Sequence, residues 1–290
     1  MSGMDRFYKT AMQEFTKDMS REETIAFVLN DIFLRWMVPS VGPRRDMSRE
    51  ESNRLILFAM VSRGITAERA STFCELLLLR LESDYLIPGV VKAGQDGVAR
   101  AVTSKPILHR FANTISKSTY LVCKELEERY DSDARNIWKR DDNGVPPTSV
   151  EIKRRIRDLH GLGLKTTNFL LRLLVLHYGI QVGENAEGYG GGLHCLDVAP
   201  DALMLRVFTR LGLVPAGAEP QQVIEAARYI SRRTDQPAVG LEGGWELAHL
   251  CTVTSPGCGL CPLEQVCTYQ ESWADVAPLI QQYGDASLLG

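Results

Sequence analysis

The 290 residues, 44% hydrophobic and 24% charged, have the balance of an ordinary globular protein of one large or two small domains. Thirteen Pro and 24 Gly are too few for a fibrous or disordered chain, and no apolar run reaches the roughly 18–20 residues a membrane span requires. A formal charge of −3 speaks against a protein that coats nucleic acid, yet the charge is uneven: Lys105–Arg172 carries a net +5 and residues 215–290 a net −6, which permits a local phosphate-facing surface.

The polar N-terminus, MSGMDRFYKT, has no apolar h-region, so secretion is not expected. Helix signals dominate from there on. Ser20-x-x-Glu23 and Ser48-x-x-Glu51 have the form of capping boxes, and each precedes an apolar run, Ile25–Met37 and Leu55–Met60, read as buried helices. Further helices are expected near 67–83, 106–129, 149–159, 164–178, 201–212, 220–232 and 242–250. Connections are read at Pro39–Asp46, at Asp141–Thr148 with its Pro146–Pro147 pair, and at Gly183–Gly192, which holds five glycines and reads as a flexible linker.

Three constellations carry chemistry. The first, Leu159-His160-Gly161-Leu162-Gly163-Leu164-Lys165-Thr166, sets two glycines between a basic helix and an apolar one. Glycines at i and i+2 permit a turn other residues resist, and their bare amides join the unpaired N–H groups of the following helix in a place suited to a phosphodiester. An ordinary inter-helix turn is the bland alternative. The second is Pro200-Asp201 ahead of the apolar helix Ala202–Leu213, where Asp201 reads as an N-cap whose carboxylate the helix dipole keeps ionised. The third is Cys251-x6-Cys258-x2-Cys261-x5-Cys267. Four thiols in seventeen residues, among Pro256, Gly257, Gly259 and Pro262, can wrap a metal centre. Zinc usually takes two separated Cys pairs, whereas four cysteines also suit an iron–sulfur cube. Cys74, Cys123 and Cys195 are scattered and read as core residues.

In this order and with this cysteine spacing, LHGLGLKT, PDALMLRVFTRLGL and C-x6-C-x2-C-x5-C resemble the endonuclease III branch of the helix-hairpin-helix DNA glycosylases, over about residues 150–270. The resemblance implies an all-α, two-lobed helix-hairpin-helix glycosylase fold with an iron–sulfur cluster loop. A six-helix lobe at 47–190 would hold the hairpin, and 1–46 with 195–290 would form the cluster lobe. Lys165 falls on the family's nucleophilic lysine and Asp201 on its catalytic aspartate, facing each other across a groove that takes DNA. A first-turn position and partial burial would lower the amine's pKa. Gly161, Leu162, Gly163 and Thr166 would hold DNA, and Cys251, Cys258, Cys261 and Cys267 a [4Fe–4S] cluster.

The implied activity is excision of a damaged or modified base from double-stranded DNA through a Lys Schiff base, with β-elimination nicking the strand. A monofunctional glycosylase and a non-catalytic DNA-binding iron–sulfur protein are the alternatives. A monomer in the cytoplasm with the nucleoid, or in a nucleus, is expected, with no membrane partner. This chain departs from the family pattern in His160, where proline is usual, and in Leu164, where a basic or polar residue is common. It also has the enlarged glycine-rich gap, and Asp197 as a rival carboxylate. Arg63, in Val61–Thr66, stands where the family has its base-displacing glutamine, which puts the usual oxidised-pyrimidine specificity in doubt.

Overall fold

The computed structural model describes residues 6–38, 46–183 and 192–269. Most of Gly183–Gly192 and of Pro39–Asp46 therefore lies outside the described residues. Among the described residues there are eleven α-helices and no β-strand, only an isolated bridge between Thr148 and Gly183. In chain order they are α1 (Arg6–Phe15), α2 (Arg21–Trp36), α3 (Arg49–Val61), α4 (Ala67–Arg80), α5 (Leu86–Thr103) and α6 (Ala112–Tyr130). Then come α7 (Ser149–Arg157), α8 (Leu164–Tyr178), α9 (Ala202–Arg210), α10 (Pro220–Thr234) and α11 (Gly243–Leu247). None is long and apolar enough to cross a membrane. The chain divides into two compact units, Val41–Gly192 and Met1–Ser40 with Leu193–Gly290.

The Val41–Gly192 unit holds α3 to α8. Ser48 caps α3 by accepting from Glu51 N–H at 3.1 Å, and Glu51 Oε1 accepts the Tyr178 hydroxyl at 3.3 Å. Helix α3 is buried along Leu55, Ile56, Leu57, Ala59, Met60 and Val61, so it runs through the unit's core. Helix α5 was not among the sequence expectations. Its Pro88, Gly89, Gly94 and Gly97 are poor helix formers, but Pro88 falls in the first turn, where no helical acceptor is owed, and Gly94 (φ +65°) takes up a kink inside the helix. Its start is capped from a distance, since Glu50 Oε1 accepts Leu86 N–H at 3.0 Å. A carboxylate 36 residues upstream leaves no local sequence signal. Helix α6 begins at Ala112, six residues later than the reading of 106–129, and residues 104–111 form a loop instead.

The second unit packs α2 against α10, α11 and the short turn Ala238–Glu242. The Ser20–Glu23 pair forms a full capping box, and Ile25, Ala26, Val28, Leu29, Ile32 and Phe33 are buried. Gly243 is required there, because a Cβ would lie 2.0 Å from Leu29 O. Cys74, Cys123 and Cys195 are buried. Burial pushes the Cys74 thiol up to about 12 and the Cys123 thiol up as well, which leaves both protonated and inert at neutral pH.

Candidate functional site

The hairpin is assembled from its flanks inward. Thr148 and Glu151 form a reciprocal capping box that starts α7. Ile152 and Ile156 anchor its inner face, and Arg154, Arg155 and Arg157 end it on the side favourable to cations. Leu159 and Leu162 then tuck into the core at 2% and 4% exposure. Leu162 N–H donates to Leu159 O at 3.3 Å, which closes the turn over the buried Leu162 side chain.

Gly161 sits at φ +80°, and a Cβ there would lie 3.2 Å from Ser118 Cβ and 3.3 Å from Met60 Sδ. Both the left-handed backbone and the close approach call for glycine. Gly161→Ala is expected to cost about 1–3 kcal/mol of stability, read as a lowered unfolding midpoint in denaturant.

Gly163 is the N-cap of α8, extended and exposed, with open space around its Cα and no side-chain cap. The N-cap residue of α8 thus supplies no side-chain cap to the first-turn amides, and Lys165 and Thr166 stand in that turn. Lys165 is exposed, which departs from the expected partial burial. The residue before it, Leu164, is only half-buried, so the buried face of α8 starts at Thr167 and Asn168, after the amine. Arg63, exposed in the turn between α3 and α4, brings Nη2 to 3.5 Å from Gly161 O. The fold therefore unites Arg63, Gly161, Gly163, Lys165 and Thr166 at one end of the Val41–Gly192 unit.

Asp201 belongs to the other unit. Its Oδ1 accepts from Leu203 N–H at 2.9 Å and Met204 N–H at 3.0 Å, the expected N-cap of α9. Asp197 is engaged otherwise: it is nearly buried and takes a bidentate pair from Arg228, Nε to Oδ1 and Nη2 to Oδ2, both 2.7 Å. Such a carboxylate is a structural anchor. Asp197→Ala leaves the Arg228 charge without it and is expected to cost about 2–4 kcal/mol, discounted for the half-exposed guanidinium. Asp201→Asn keeps a capping oxygen and is expected to stay within about 0.5 kcal/mol of the parent. Thermal unfolding of the two variants side by side checks both.

The cysteine loop is tied to the far end of α9. Arg210 Nη1 donates to Cys251 O and Sγ, each at 3.1 Å, and to Thr252 O at 2.7 Å, while Cys267 Sγ donates to Arg210 O at 3.4 Å. Lys9 Nζ holds Gly259 O at 3.1 Å, and Arg21 Nε holds Val266 O at 3.2 Å. Burial and the neighbouring sulfurs push the Cys261 thiol to about 12, and the same two causes raise Cys258. The four thiols are near enough to feel one another's charge. Among the described residues, however, no three His, Cys, Asp or Glu side chains close on a single metal ion. An all-sulfur donor set is the chemistry of an iron–sulfur group as well as of zinc.

No protein-family model matches the chain, and no curated protein does. Solved structures do. A trapped endonuclease III–DNA covalent intermediate with an estranged adenine matches with a TM-score of 0.59 at 15% identity, over 88% of this chain and 100% of that one. A non-covalent endonuclease III–DNA complex gives 0.59 and 15% over 89% and 100%. A thermostable thymine-DNA glycosylase gives 0.53 and 15% over 87% and 97%. The chain has the endonuclease III fold. At 15% identity that likeness establishes architecture, and function has to come from the residues.

Sequence reasoning missed one part of the endonuclease III fold as this chain builds it. The loop His109–Arg110–Phe111, read as the interior of a helix, packs on the Arg63 turn. Buried His109 sets Nε2 3.1 Å from Val61 O and accepts Phe111 N–H on Nδ1 at 3.0 Å. That assigns the proton to Nε2, and burial, helped by the nearby Arg110 and Arg63 charges, lowers the pKa and keeps the ring neutral. The Arg110 guanidinium lies over Phe111, 4.6 Å from the ring centroid, and occupies the space a Cβ on Gly64 (φ +75°) would need. The only signal was a basic–aromatic triplet just ahead of α6.

Proposed function

We propose that the protein is a DNA base-excision enzyme acting on double-stranded DNA with a damaged or modified base, a glycosylase with associated lyase activity. The observation that carries the reading is Lys165, an exposed amine in the first turn of a helix whose N-terminal amides lack a side-chain cap, directly after the Gly161–Gly163 turn. The fold shared with endonuclease III–DNA complexes supports it.

In this reading the hairpin amides of Gly163 and α8 receive a phosphate, with Thr166 beside them, and Arg63 fills the stack left by the extruded nucleotide. Extrusion costs a few kcal/mol and is least for a damaged or mispaired base. Lys165 Nζ, as the unprotonated amine, attacks the sugar C1′. The C1′–N bond to the base breaks and the base leaves with that electron pair. Asp201 stabilises the cationic sugar as it develops. Ring opening gives the iminium, which acidifies C2′–H; loss of that proton expels the 3′ phosphate oxygen and nicks the strand. Because Lys165 is exposed in the free protein, desolvation of the amine has to come from DNA covering it.

Cys251, Cys258, Cys261 and Cys267 would hold a [4Fe–4S] cluster, as their donor chemistry and spacing fit; it would supply structural closure of the loop and no step of the reaction. The protein would act as a monomer, in the nucleoid or in a nucleus. The exposure of Lys165 also suits a plain phosphate contact, and that second reading gives base release without a nick.

A panel of single-lesion duplexes assayed for released base, strand cleavage and borohydride-trapped adduct tests the proposal. Base release and adduct on at least one lesion are expected. Salt-dependent duplex binding with no release from any substrate would replace the enzyme with a DNA-binding protein.

A further inference from the structure

The hairpin turn is held by α6 at three points. Arg129 Nη1 donates to Asp158 O at 3.2 Å, Ser118 lies under Gly161, and Glu125 Oε2 accepts His160 N–H at 2.6 Å. Glu125 stands apart from the other two. It puts a negative charge on the amide just ahead of the left-handed Gly161, in a turn whose open helix N-terminus and nearby Arg63 suit an anion.

A short carboxylate–amide bond is a strong restraint, and here it falls on the one turn amide that fixes the chain entering Gly161. The same charge lies well within a Debye length of any phosphate docked on the turn, and so opposes it. The two effects have opposite signs and can be separated chemically.

We propose that Glu125 is a positioning residue of the hairpin: by fixing His160 N–H it presets the Gly161–Gly163 backbone, at the expense of repelling the phosphate the turn receives. This rests on the DNA-binding reading above. The trade is a sensible one where preorganised amides give more than a single exposed repulsion takes away.

The test uses the full chain and its variants Glu125→Ala, Glu125→Gln and Glu125→Ala/His160→Pro. Two quantities are read: deuterium exchange of the peptide spanning 159–166, and affinity for an undamaged duplex across a salt series. Glu125→Ala is expected to speed exchange in that peptide about tenfold and to weaken binding several-fold. Glu125→Gln keeps an oxygen acceptor, so protection is retained, and binding tightens at low salt with a gain that fades as salt rises. Proline at 160 has no N–H to satisfy and a fixed φ, and is expected to restore binding in the Glu125→Ala background.

Unchanged exchange in Glu125→Ala overturns the positioning role, as does a Glu125→Ala variant that binds duplex as tightly as Glu125→Gln. If the proline variant fails to fold, the alanine–glutamine comparison still decides. Faster exchange in Glu125→Ala, together with a parent protein that binds no duplex at any salt concentration, would leave the positioning role standing and remove the DNA-binding reading.

Discussion

Lys165→Ala is expected to abolish the borohydride-trapped adduct and to lower strand cleavage on a cleaved lesion at least ~10³-fold, with little change in stability. The stability expectation follows from exposure: the side chain leaves α8 at its first turn, and the buried face of the helix, Thr167, Asn168, Leu170, Leu171 and Leu174, is untouched. Truncating an exposed side chain at such a position shifts unfolding by about 0.5 kcal/mol. A large catalytic loss in a fold of unchanged stability is what a nucleophile gives.

Asp201→Asn is the companion measurement. Asparagine still caps α9, so a fall in turnover of about 10²-fold or more with duplex affinity retained would mark the charge as acting on the sugar. Adduct surviving in Lys165→Ala would show that another amine attacks. Loss of the nick with base release intact would select the monofunctional reading.

How much of this was legible in the sequence differs from part to part, for physical reasons. The hairpin could be read because its signal is local: two glycines two apart, of which Gly161 is fixed by its positive φ and its contact with Ser118, between a basic helix and an apolar one. Asp201 could be read as an N-cap for the same reason. Helix α5 could not, because its capping carboxylate, Glu50, is supplied by α3, and its Pro and Gly residues are tolerated only by their places within the turn and kink. Asp197 was ambiguous on paper, and only Arg228 on α10, 31 residues away, shows that it is spent on an ion pair. The sequence places Arg63 in a loop. Its approach to Gly161, 98 residues on, is a property of packing, as is the support of that loop by His109 and Arg110. Local backbone chemistry is written in neighbouring residues, whereas pairings between helices are set by the core that brings them together.

Cys258→Ser is expected to be the most damaging single change in the Met1–Ser40 and Leu193–Gly290 unit. Between Cys251 and Cys267 the chain forms only short turns, Cys258–Leu260 and Glu264–Val266, with Pro262 and Leu263 buried and the rest half-exposed or exposed. So little apolar burial cannot close such a loop alone. The polar ties from Arg210, Lys9 and Arg21 fasten the loop to the unit at its rim, and a group held by four sulfurs would close its centre. Protein purified without oxygen is therefore expected to carry about four irons and as many acid-labile sulfides per chain, with visible absorbance. Cys258→Ser is expected to lose most of both and to unfold with a stability lower by at least ~3 kcal/mol. Arg210→Ala, which removes a donor to the Cys251 sulfur and to three loop carbonyls, is expected to keep the metal but release it faster to a chelator. One zinc per chain and no visible absorbance would replace the cluster with a mononuclear centre. A chain that binds neither, with the parent's melting unchanged in Cys258→Ser, would reduce the four thiols to a polar loop fastened by Arg210, Lys9 and Arg21.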